Sequence, residues 1–269
     1  MLNAFIIVWR ESLEAMLVIG VLLSWIARQP APVPLRRRLW LGAAAGAALA
    51  CALGAATFTV QSEFAGESLD VFQLAMVLAA AALIVHMVLW MHRHGRHMKR
   101  ELESRAGTWG IAAIAALAVG REGAETVVFL YGLGLESQGM ALARLSGAAA
   151  AGFAAAGATA WLAARGARLL NYRTLFAVSE VLLLCIANAL LANAADRAIA
   201  LGWLPALIDP LWDLSAWLAD GQGAGRLLAD FTGYRARPAA TLVLASLAFW
   251  AYALWRLKRP ATPAATIGA

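Results

Sequence analysis

A chain of 269 residues in which 62% are hydrophobic and only 14% charged departs from a soluble domain, which is about half apolar and about a quarter charged. A net charge of +6 would suit a nucleic-acid binder in amount but not in distribution. Most of the 22 Lys and Arg residues fall in alternate short loops and the tail, as the positive-inside rule requires of a multi-pass membrane protein, so nucleic acid is excluded as a partner.

Window length predicts an all-α integral membrane protein with seven transmembrane helices, at roughly 2–27, 39–60, 71–91, 108–134, 142–164, 174–193 and 238–257. The first span carries Arg10, Glu11 and Glu14 where a signal peptide needs an apolar core, and it lacks a basic leader, so it is read as part of the mature protein. The loop from Arg28 to Arg38 is basic and is assigned to the cytoplasm. The next loop, with Glu63, Glu67 and Asp70, has no Lys or Arg and is assigned to the outside. The 93–105 loop is basic again, residues 135–141 carry only Glu136, and Arg165, Arg168 and Arg173 return the chain to the inside. This alternation puts the N-terminus outside and the C-terminus in the cytoplasm.

In span 2, Gly42 and Gly46 are spaced for close helix approach, as are Gly147, Gly152 and Gly157 in span 5. Cys51 and Cys185 lie in apolar stretches and read as small core residues. All four histidines, His86, His92, His94 and His97, gather at the cytoplasmic end of span 3. Among Arg and Lys and without a companion Cys or carboxylate, they read as a solvated basic loop, and Met87 as packing. The 194–237 connection is the longest. Asp209-Pro210 reads as the start of a short interfacial helix, with Trp203, Trp212 and Trp217 as aromatic anchors or as part of an outer vestibule in which Asp213 meets arriving cations.

The organising feature is a repeated R-E-x-x-E cluster. Arg10-Glu11-Ser12-Leu13-Glu14 lies in the first span and Arg121-Glu122-Gly123-Ala124-Glu125 in the fourth. On a helix all three charges of a cluster share one broad face. A charge near the centre of a spanning helix costs about 2.5–3.5 kcal/mol, and one Arg neutralises only one of two carboxylates. Each cluster is therefore net negative and suits a cation inside the membrane. The other reading is an internal Arg–Glu lock between helices. Glu180, a lone acid in span 6, either extends the cation path or is protonated and hydrogen-bonded to a neighbouring helix.

Spans 1 and 4 carry the motif, and spans 2 and 5 are both rich in Ala and Gly. The chain is thus read as one permease domain over 1–269: repeat A over about 1–92, repeat B over about 108–193, an outer loop 194–237 and a last helix 238–257. A three-span unit inverts its second copy, so the two clusters run toward each other near the midplane. No HExxH, phosphate-binding loop or nucleophile elbow is present, and catalysis has no candidate residues.

Two such motifs at matching places in a seven-span chain resemble the oxidase-dependent iron permease family of the iron/lead transporter group. The outer stretches Pro210-Leu211-Trp212-Asp213-Leu214-Ser215 and Gly233-Tyr234-Arg235-Ala236-Arg237-Pro238 look like the bacterial EfeU-type permeases. The resemblance implies iron import across the inner membrane. Glu11, Glu14, Glu122 and Glu125 would bind the ion in passage, with Arg10 and Arg121 holding them. Ser12-Leu13 departs mildly from the family's small residues after the first Glu. Iron is then substrate, with no resident cofactor, and separate periplasmic oxidase or iron-delivery proteins are the implied partners. Carboxylate oxygens suit Fe³⁺ above all and Fe²⁺ acceptably, without excluding Mn²⁺, Zn²⁺ or Pb²⁺. Transport of another such metal, or a non-transporting membrane subunit, are the alternatives.

Overall fold

A computed structural model describes residues 2–30, 32–94, 110–134, 140–165 and 172–258, and the side chains of nearly all of them. Among the described residues the regular structure is entirely helical. The helices are α1 (Leu2–Ile26), α2 (Pro32–Glu63), α3 (Glu67–His94), α4 (Gly110–Gly134), α5 (Met140–Ala164), α6 (Tyr172–Ala200), α7 (Gly223–Thr232) and α8 (Ala240–Lys258). Long apolar runs adopt this form because hydrocarbon offers backbone N–H and C=O groups no partner outside their own helix.

Among the described residues five helices, α2, α3, α5, α6 and α8, are long and apolar enough to cross a membrane. With 25 residues each, α1 and α4 have the length too, and their charged triplets set them apart. Several helices outrun their hydrophobic windows. The second begins at Pro32 and continues through Arg36–Arg38 to Glu63, and the sixth continues to Ala200. Window reading stops at polar residues, whereas the hydrogen-bond ladder continues through them.

Helix pairing follows small residues. A Cβ at Gly42 or Gly46 would collide with the backbone of Ala112 or Ala116, so α2 lies against α4 with almost no side chain between them. Gly152 gives α5 the same approach to α1, against the carbonyl of Phe5, and Trp9 Nε1 donates to Thr159 Oγ1 at 3.2 Å across that seam. Gly147 and Gly157, expected to serve likewise, face open space within 4 Å. They lie off the seam.

The main core joins α3 and α6 through Ile84, Met87, Leu183 and Ile186, with Ile7 of α1 and Phe129 of α4 packed into it. A second cluster (Ile19, Leu22, Ile26, Leu39 and Ile111) closes the other end of α1 against α2 and α4. Cys51 is exposed on α2 and Cys185 half-buried on α6, so Cys51 is not the core residue expected of it. The helix is apolar around most of its circumference, and hydrophobicity alone does not tell which face is inward.

The 194–237 connection departs most from expectation. No helix starts at Pro210. Its backbone groups are taken by a distant segment: Leu211 N–H donates to Pro238 O at 2.8 Å, Leu214 N–H to Ala236 O at 2.9 Å, and Ala240 N–H to Ile208 O at 2.9 Å. Long-range pairing replaces the local i→i−4 ladder. The helix of this region is α7, further on, and it ends at Gly233, whose φ of 74° makes the left-handed cap. Trp217 is 91% exposed, as an interfacial anchor would be.

Candidate metal centre

The two triplets converge. One carboxylate oxygen from each of Glu11, Glu14 and Glu122 lies within 4.8 Å of the others, joining α1 to α4. Oxygen ligands at about 2.1 Å from a shared ion lie about 3 to 3.6 Å apart when three of them surround it, so the glutamates would draw together by about an ångström or more to hold one cation. Glu125 is outside the trio, one turn further along α4, with its Oε1 2.8 Å from Arg121 Nε.

Arg10 is completely buried. Its Nη1 donates to Glu11 Oε1 at 3.0 Å, its Nη2 lies 2.8 Å from Glu14 Oε1, and Nη1 also reaches the thioether of Met87 on α3 at 3.0 Å. Met87, read from the sequence as packing, is thus also a contact of the guanidinium. A lone Met among apolar neighbours carries no sequence signal for that role. A thioether is a weak, uncharged acceptor, so it helps hold Arg10 without neutralising it.

Arg121 behaves differently. Its side chain is 43% exposed, and it lies 3.9 Å from Glu122 Oε1 and 2.8 Å from Glu125 Oε1. The glutamates are not exhausted by their arginines. The second oxygens of Glu11, Glu122 and Glu125 are buried and have no hydrogen-bond donor among the described residues. Buried carboxylate oxygens without a donor are costly, and a cation is a partner that suits them.

Among the described residues, none of the other sequence candidates belongs to this trio. Glu180 is half-buried on α6 and is not one of the trio. Asp213 sits in the 194–237 connection, where it accepts from Ser215 N–H at 2.9 Å and Ser215 Oγ at 2.6 Å and faces Arg237 at 3.5 Å. Those bonds, and then Arg237, hold its carboxyl below the ordinary value of 3.8. His86 is exposed on α3, while the side chains of His92, His94 and His97 fall outside the described residues.

Two asparagines were not singled out by sequence reasoning. Asn3 Nδ2 donates to Asp230 O and Asn188 Nδ2 to Thr232 O, tying the end of α7 to α1 and α6. The available signal was an isolated amide in an apolar helix, which hydrocarbon makes expensive.

The model of the iron permease FTR1 family matches residues 1–257. The ferrous iron permease EfeU of Escherichia coli O6:H1 is 27% identical over 257 residues, covering 89% of this chain and 88% of the relative. High affinity iron permease 1 of Rhizopus delemar is 28% identical over 225 residues, covering 74% and 60%. Ferrous iron permease EfeU of Yersinia pestis is 29% identical over 135 residues, covering 47% and 48%. No solved structure matches. These relatives are named as transporters and not as enzymes, and with the family match over nearly the whole length the chain belongs to the iron permease FTR1 family.

Proposed function

We propose that this chain imports iron across the cytoplasmic membrane by passing the ion through the Glu11, Glu14 and Glu122 trio, with Glu125 as the adjoining station. The observation that carries the reading is the buried meeting of three carboxylates from two helices, with oxygens left over after both arginines are counted. Arg10 and Arg121 orient the glutamates. The ferrous permease names of two relatives favour Fe²⁺ as cargo.

Seven spans in two inverted three-helix repeats give the path its frame. Support comes from the pairing of α2 with α4 and of α1 with α5: the second helix of each half lies against the first helix of the other. The N-terminus is outside and the C-terminus cytoplasmic by the placement of basic loops. Charges inside a membrane face the bundle interior or a water-filled opening, so the exposed side chain of Arg121 marks where water reaches the trio. Asp213 and Glu180 are auxiliary acids of the path, and separate periplasmic proteins deliver the iron. The whole chain acts as one permease domain, and alternating access moves the ion.

The test is radiolabelled iron uptake into proteoliposomes. Glu11→Ala and Glu125→Ala insert normally and lose uptake by more than about tenfold. Near-normal uptake in either variant overturns the reading. Uptake under reducing conditions, challenged with Mn²⁺ and Zn²⁺, separates a ferrous permease from one for another metal.

A further inference from the structure

Away from the carboxylates, α3 and α8 both pack on α6 but scarcely touch each other. A groove of about 510 Å³ is left between them. Along α3 it is floored by Leu78 and Val85, with Leu191 of α6 and Phe249 of α8 opposite. Three polar groups complete its lining: His86, Tyr252 and Arg256. Tyr252 and Arg256 are four residues apart on α8, so they share a face. Lys258 follows at the helix end, and among the described residues no acidic side chain lines the groove. Arg256 Nε is buried and has no hydrogen-bond partner among the described residues.

We infer that this groove binds one anionic phospholipid, with its acyl chain along Leu78, Val85 and Phe249 and its phosphate at Arg256 and His86. Each half of the lining requires a different half of the ligand. A buried guanidinium N–H without an acceptor calls for an anion, and phosphate oxygens are good acceptors for it. The apolar length offers nothing to a free phosphate, but it matches a hydrocarbon chain. The helices that frame it are long and apolar enough to span, so the surrounding medium supplies the lipid. The basic end of α8 selects an anionic headgroup over one that carries its own cation.

Purified full-length protein in nanodiscs of equal phosphatidylglycerol and phosphatidylcholine, extracted into detergent and weighed by native mass spectrometry, tests this. Wild-type protein retains phosphatidylglycerol in preference to phosphatidylcholine, and Arg256→Gln lowers that retention by about fivefold. Ala82 of α3 also lines the groove, and Ala82→Trp fills it without altering its charge and produces the same loss, so the outcome does not hang on the folding of one variant. Equal retention of both lipids by the wild type, or wild-type retention by Ala82→Trp, overturns the proposal.

Discussion

The R-E-x-x-E clusters of α1 and α4 share a spacing and differ in setting. Arg10 is sealed, held by two carboxylates of its own helix and by Met87 of another. Arg121 has nearly half of its side chain exposed and keeps Glu125 close and Glu122 at a distance. Identical motifs have thus been given unequal burial by their neighbours. The α1 copy forms the fixed wall of the trio and the α4 copy its accessible side.

That contrast breaks most readily at the arginines. Arg10→Gln leaves Glu11 and Glu14 buried side by side without their guanidinium, at a cost of about 3–5 kcal/mol. Arg121→Gln removes a half-exposed guanidinium from two largely buried carboxylates and costs less, about 1–3 kcal/mol. Thermal unfolding of the purified variants in detergent reads the difference. Equal losses would show that the two clusters are equivalent after all.

The packing that sets the burial can be probed next. Gly46→Val drives a side chain into the backbone of Ala116 and forces α2 off α4, destabilising by about 1–3 kcal/mol. Gly147→Ala, with open space at its Cβ, is neutral or stabilising by up to about 1 kcal/mol. The same unfolding assay checks both. A neutral Gly46→Val would mean that the seam is not what brings α4 to α1.

The smallest effect belongs to Asp213, which stands outside both clusters. Its carboxyl is lowered in the folded protein, so its contribution to stability is present above the ordinary value of 3.8 and is lost as pH falls through the depressed one. Asp213→Asn should therefore lower stability slightly at neutral pH and converge with the wild type in strong acid, as pH-dependent melting will show. A large loss of iron uptake at neutral pH in this variant would make Asp213 more than an auxiliary acid of the path.

Much of this was legible in the residues. Six charges in two apolar helices announce a site because hydrocarbon penalises them, and the helical spacing of Arg10, Glu11 and Glu14 puts them on one face before any coordinates exist. What stayed hidden depends on who lies next to whom. The thioether contact of Met87, the amide ties of Asn3 and Asn188, and the difference between Gly46 and Gly147 are properties of the neighbouring helix. The Asp209-Pro210 segment misled for the same reason. Its local signals favour a helix start, but the 236–240 segment takes its backbone hydrogen bonds instead.

In the proposed path, side chains of α1 and α4 hold one ion together. Fe²⁺ affinity measured by anaerobic titration calorimetry across a Glu11→Ala, Glu122→Ala double-mutant cycle tests it most directly. A shared site predicts strong coupling, with the double variant hardly weaker than either single one. Penalties that simply add would mean two independent sites and contradict the account.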